Sequence, residues 1–139
     1  MTPWYYNGII VDEPDKNFCG FIYIITNKLT QKQYIGKKLL WFKKTKQIKG
    51  KKKSILVESD WKIYWSSSDE VKNDVKTFGE ENFQRNIIRF CKTKGELSYW
   101  ESKTIFEYDA LLYPNLYYNA WIMVRVRRSH LQSLIKSKQ

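Results

Sequence analysis

The chain has 139 residues, about one domain's worth, and 42% of them are apolar, which suits a folded core rather than a disordered polymer. One histidine, His130, and two distant cysteines, Cys19 and Cys91, exclude histidine-based metal nuclease centres, zinc proteases and thiolate zinc sites. A formal net charge of +11 is large for this length and calls for a polyanionic partner.

The charge is clustered. From Lys37 to Lys53 the chain reads KKLLWFKKTKQIKGKKK without one carboxylate, and a second basic patch, RVRRSHLQSLIKSKQ, closes it from Arg125. The candidate nucleic-acid-binding residues are therefore Lys38, Lys43, Lys46, Lys49, Lys51, Lys52 and Lys53, with Arg125, Arg127 and Arg128. No apolar run reaches the roughly 18–20 residues of a membrane span, and the first residues lack the pattern of a signal peptide. The expectation is a soluble protein of a reducing cytoplasm, with no membrane partner and both cysteines packed as small hydrophobes.

In chain order, residues 1–18 read as an irregular arm with one apolar stretch at Gly8–Val11. Gly20–Thr26 is rich in β-branched and aromatic residues and predicts a strand. Asn27–Lys32 is turn-like, and Gln33–Gly36 resumes the apolar pattern, giving a β-hairpin. The basic stretch predicts a short helix or extended piece that becomes a mobile loop around Lys49–Ser54. Ser66–Glu70 is a helix start, with serine caps and first-turn acids; that helix presents Val71, Val75 and Phe78 and ends at Gly79. Asn82–Phe90 predicts a strand and Thr93–Leu112 a long helix, broken at Tyr113-Pro-Asn. Leu116–Trp121 reads as a closing strand or turn, and the tail from Val126 as a final helix. These elements give one α+β domain with a small antiparallel three-stranded sheet flanked by helices, divided as an arm (1–18), a domain (19–120) with a basic insertion (37–59), and a basic extension (121–139).

Two features carry chemistry. A hairpin folded about Lys28–Leu29 places Tyr23 and Tyr34 roughly opposite each other on one face, with Gly36 allowing a close approach; the bland alternative is an aromatic pair that only packs. On a helical wheel of Thr93–Leu112, Leu97, Trp100, Ile105, Tyr108, Leu111 and Leu112 form an apolar sector containing Glu101, while Glu96, Glu107 and Asp109 fall outside it. A core-facing carboxylate needs a partner, either a salt bridge or a metal ion.

Gly20-Phe-Ile-Tyr23 followed by Tyr34-Ile-Gly36 resembles the signature hairpin of the GIY-YIG nucleases, with Glu101 at the position of the family's metal-binding glutamate and Asn119 at its asparagine. The resemblance spans roughly Cys19–Ala120. It implies hydrolysis of DNA with a single divalent cation, Mg²⁺ or Mn²⁺, on Glu101. Tyr23 would activate the attacking water, Tyr34 and Lys37 would orient it or the phosphate, and Asn119 would brace the site. The family's arginine has no counterpart between Gly36 and Arg85, so Lys44 is the expected substitute, with Arg85 and Arg89 as other sources of charge.

The expected partner is double-stranded DNA, with a homodimer as one way to cut both strands. By analogy the chain is a free-standing homing-type enzyme of a bacteriophage or mobile element, acting in the cytoplasm of a bacterial or phage-infected cell. The alternatives are a catalytically impaired nucleic-acid-binding module on the same fold and a protein-binding inhibitor built on it. A PD…ExK nuclease assembled from Pro14-Asp15 and Glu101-Ser-Lys103 is a remote fourth reading, because its second half sits in a helix pattern.

Overall fold

The computed structural model describes residues 2–137; Met1, Lys138 and Gln139, the last two from the basic extension, lie outside the described residues. Seven strands and two α-helices follow in chain order: β1 (Trp4–Tyr6), β2 (Ile9–Val11), β3 (Gly20–Asn27), β4 (Gln33–Leu39), β5 (Trp41–Ile48), β6 (Lys51–Glu58), α1 (Asp69–Phe78), β7 (Phe83–Cys91) and α2 (Lys94–Glu107). Short 3₁₀ turns lie at Trp61–Ile63, Glu80–Asn82, Ala110–Leu112 and Arg128–Leu134.

The main sheet has five strands in the order β2-β1-β7-β3-β4, not the three expected. All its pairings are antiparallel except β1 with β7. The two extra strands come from the supposed arm. Asn7 and Gly8 both have positive φ, the conformation of a two-residue hairpin turn, so Trp4–Tyr6 folds back on Ile9–Val11 and zips onto β7. The basic insertion is likewise no loop. Lys49 and Gly50 make a second turn of this kind, and β5 and β6 pair as a separate two-stranded ribbon.

β3 is an interior strand, between β7 and β4, and buried on both faces, so its alternation splits two cores. Phe21, Tyr23 and Ile25 pack with Trp4, Trp61, Val71 and Phe83 on the α1 side. Ile22 and Ile24 pack with Ile35, Leu97 and Ile105 on the α2 side. α1 starts at Ser68, whose hydroxyl accepts from the Val71 N–H, and stops at Gly79 at φ +89, as its sequence signals imply.

α2 ends at Glu107, earlier than its pattern suggested, and leaves Tyr108, Leu111 and Leu112 exposed. Glu96, placed outside the apolar sector by the wheel, is buried instead. Its carboxylate closes a capping box by accepting from the Lys92 and Thr93 N–H groups, and its other oxygen accepts from Ser133 Oγ at 2.9 Å. That contact seats the C-terminal tail on the start of α2. The tail is a kinked 3₁₀ turn rather than a regular helix.

Arg85 explains how the long stretch before α1 is held. Its guanidinium is buried between the Trp4 and Trp65 rings, 4.6 and 4.4 Å from their centroids. It donates to the carbonyls of Tyr64 (2.8 Å), Lys62 (2.9 Å) and Thr2. Burial draws its pKa down to about 10, which still leaves it charged at neutral pH. Arg85→Ala should cost about 3 kcal/mol, since it opens a cavity and strands three carbonyls. Urea-denaturation midpoints measure this, and a loss below about 1 kcal/mol would mark the guanidinium as dispensable.

Candidate active site at the edge of β4

β4 pairs with β3 on one side only, and its free edge is where the candidate site forms. The Gln33 N–H donates to the Leu116 carbonyl at 2.9 Å, and Tyr118 N–H returns a bond to the Gln33 carbonyl. Two residues on, the Asn119 carboxamide takes the place of a strand: Oδ1 accepts from Ile35 N–H at 3.0 Å and Nδ2 donates to the Ile35 carbonyl at 2.9 Å. Two residues further, the Lys37 N–H faces the Glu101 carboxylate. The segment from Leu116 to Asn119 thus covers half the edge and leaves the other half beside α2.

The two tyrosines stand over this edge on the α1 face, in a register different from the one expected. Tyr23 lies opposite Gly36, and Tyr34 opposite Ile25, so the phenols are diagonal neighbours with centroids 6.2 Å apart. The displacement comes from the turn, where the Asn27 side chain accepts from the Leu29 and Thr30 N–H groups and Gln31 takes a positive φ. Gly36 is required where it is, because a Cβ there would run into the Tyr23 phenol.

Tyr23 is 1% exposed and meets Tyr64 edge-on at 6.1 Å. Tyr34 is only half-buried, and its hydroxyl lies 3.3 Å from Ser67 Oγ. Glu101 and Lys37 reach the same edge from the α2 face, with Lys37 Nζ donating to Ser98 Oγ at 3.0 Å. Together Tyr23, Tyr34, Lys37, Tyr64, Ser67, Glu101 and Asn119 line one cleft of about 630 Å³.

Five of the six expected catalytic and metal residues therefore converge. Lys44 does not: it sits on the exposed β5 strand, outside the cleft lining. Arg85 is committed to the core, and Arg89 stacks over Trp100 at 3.6 Å. Among the described residues Lys37 is the one Lys or Arg lining the cleft. Of the expected nucleic-acid contacts, Lys43, Lys46, Lys49, Lys51, Lys52 and Lys53 are exposed on the ribbon or its turn, and Arg125, Arg127 and Arg128 are exposed on the tail. Lys38 is engaged, paired with Asp60 at 2.5 Å and lying 4.1 Å over the Tyr64 ring. From the sequence, Tyr64 reads as an aromatic that could stack on bases and the Trp61–Ser68 segment as part of a recognition surface, but neither Tyr64 nor Ser67 reads as a residue of the catalytic cleft that they line. A signal was present in Tyr64-Trp-Ser-Ser-Ser, where Ser66 is buried with φ +85, a strained conformation typical of a constrained site.

Burial sets the electrostatics. It pushes the Tyr23 phenol well above its usual range, with Tyr64 and Tyr34 adding to the effect. Tyr34 and Tyr64 are also raised by burial, partly offset by hydrogen bonding to Ser67 for Tyr34 and to Tyr23 for Tyr64. The Glu101 carboxyl is raised by burial, and the Lys37 ammonium and amide N–H pull it partly back. No cation stands within 4 Å of Glu101 among the described residues, so its charge is under-compensated.

A family model described as "Putative endonuclease segE, GIY-YIG domain" matches residues 4–122. The chain belongs to the GIY-YIG family. This membership implies a nuclease domain, and the match includes β1 and β2 at one end and the β5–β6 ribbon within. No curated protein and no solved structure matches the chain. Among the described residues of this GIY-YIG domain, no helix is long and apolar enough to cross a membrane.

The raised Glu101 pKa fixes the sign of a pH effect. Between its unfolded and folded pKa values the native state holds the extra proton, so stability falls as pH rises through that window. Glu101→Gln should therefore be more stable than wild type at pH 7 in the absence of divalent cations. The gap should close as pH drops below the unfolded carboxylate range; equal melting temperatures at both pH values would refute the buried, under-compensated carboxylate.

Proposed function

We propose that this GIY-YIG domain is a DNA endonuclease that hydrolyses a phosphodiester in the β4-edge cleft with the help of a divalent cation on Glu101. The observation that carries the reading is the meeting of Tyr34, Lys37 and Glu101 across one strand edge, with no cation within 4 Å of the Glu101 carboxylate among the described residues. The residues fit a metal of the Mg²⁺ or Mn²⁺ type. Glu101 offers one hard oxygen ligand in an open cleft, and no group of three or more His, Cys, Asp or Glu side chains suited to a metal occurs among the described residues. When bound there, completed by water and phosphate oxygens, the cation would supply Lewis-acid polarisation of the phosphate and charge for the leaving oxygen.

The protein's own groups divide the remaining work. Tyr34 is the phenol open to the cleft, and we assign it the attacking water, with Ser67 at 3.3 Å to pass the proton toward solvent. Tyr23 also lines the cleft but is only 1% exposed, so its hydroxyl is the less accessible of the two to a water. We therefore assign it a supporting role, hydrogen-bonded to Tyr64 and packed against the Tyr34 ring, rather than that of the base implied by the family resemblance alone. Lys37 places one positive charge on the phosphate. Asn119 fixes the strand edge against which all these groups are aligned.

A binding module that does not cut is the second reading, favoured by the lack of any arginine along the cleft. A homing-type role, a phage setting and a dimer for double-strand cutting extend the first reading by analogy; a single cleft holding Tyr34, Lys37 and Glu101 accounts for one nick at a time.

Supercoiled plasmid incubated with Mg²⁺, Mn²⁺ or EDTA separates the two. We expect metal-dependent nicking that falls by about 10²-fold or more in Glu101→Ala and in Tyr34→Phe, and by a smaller factor in Tyr23→Phe. Binding without nicking in either metal would establish the module instead.

A further inference from the structure

The β5–β6 ribbon has no core of its own. It joins the domain at its base, where Ser59 N–H donates to the Leu40 carbonyl at 2.8 Å and Glu58 accepts from Trp61 Nε1 at 3.0 Å. Eight residues in each strand carry it outward for roughly 25 Å. A two-stranded hairpin of this kind is marginal in water, and this one is further loaded with like charges. Lys46 lies directly opposite Lys53, an arrangement that destabilises a ladder. No acid occurs between Lys37 and Val57 to relieve it.

The two faces differ in chemistry. Lys44, Lys46, Lys51 and Lys53 share one face by register, whereas Thr45, Gln47 and Ser54 are on the other with Lys43 and Lys52. The second set carries the neutral donors and acceptors that pair with base edges. A two-stranded ribbon also has the width that the major groove of B-form DNA admits, about 12 Å.

From this arrangement we infer that the β5–β6 ribbon is the duplex-reading element of the protein. It lies in the major groove with the Thr45–Gln47–Ser54 face toward the base edges, and the lysines of the outer face stand at the rim of the groove, where their long side chains bend sideways to the flanking phosphates. The inference rests on DNA being the substrate of the cleft, but it concerns binding and not hydrolysis. It also gives the like-charge ladder a purpose, since phosphate contact removes the repulsion that strains the free hairpin.

The test is equilibrium binding to a labelled duplex of about 20 bp, in EDTA, over a range of salt concentrations. Replacing Lys44, Lys46, Lys51 and Lys53 with Gln should reduce the slope of log affinity against log salt by about 3.6, at about 0.9 per phosphate contact. A charge-matched control, with Lys16, Lys72, Lys76 and Lys103 replaced by Gln, should change the slope by less than about 1. Dimethyl sulfate should find guanine N7 protected by wild type and exposed with the ribbon variant. Lys46→Gln alone should leave the melting temperature unchanged or higher while weakening DNA binding, which separates contact from folding. An unchanged slope in the ribbon variant would overturn the inference. So would protection at adenine N3 in the minor groove, or capture by anionic vesicles through the same lysines with no duplex binding. A protein that binds through the ribbon yet never nicks DNA would retire the nuclease reading and leave this one standing.

Discussion

The free edge of β4 is satisfied in three steps by three chemistries: the Leu116 carbonyl at Gln33, the Asn119 carboxamide at Ile35 and the Glu101 carboxylate at Lys37. An unpaired strand edge is a liability that proteins usually cover or blunt. Here the first two steps close it, and the third turns it into a place where charge is held. Everything at the candidate site depends on this edge, because along it side chains from both faces of the sheet meet. The phenols arrive from the α1 side and the carboxylate with Lys37 from the α2 side. Gly36 lies between them and lets the Tyr23 ring lie flat across the strand.

That geometry costs stability. Glu101 is partly buried without a paired cation, three phenols crowd one another, and Ser66 has a positive φ just before α1. The domain holds these groups in place through a hydrogen-bonded frame: Arg85 ties the Lys62–Tyr64 backbone to the sheet, although its buried Nε has no partner among the described residues, and the capping box at Thr93–Glu96 fixes the start of α2. Strain concentrated at one cleft and supported by satisfied hydrogen bonds elsewhere is the pattern expected of a site built to act on a ligand.

Much of this was legible in the sequence. The hairpin, α1 with its serine cap, β7 and the placing of Glu101 and Asn119 followed from local pattern and motif order. The misreadings have physical causes. The strands of the N-terminal arm are three residues each, too short for periodicity, although Asn7-Gly8 was a hairpin signal in plain view. The β5–β6 ribbon exposes both faces, so no apolar alternation could betray it, and the lysines that mark it read equally well as a loop. The two-residue register error at Tyr23 arose because Asn27 shapes the turn through its side chain, which a count of intervening residues does not capture. Lys44 was placed in the site by counting along a segment that in fact leaves the domain.

Substoichiometric Mn²⁺ added to ¹⁵N-labelled protein tests the central claim most directly, because paramagnetic broadening reports where a cation resides without requiring turnover. Broadening is expected to centre on the amides of Ile35, Lys37, Ser67 and Glu101 and to disappear in Glu101→Gln. Broadening centred instead on the acids of α1 or on Glu80–Glu81, or a pattern unchanged by that substitution, would contradict a cation site at the edge of β4.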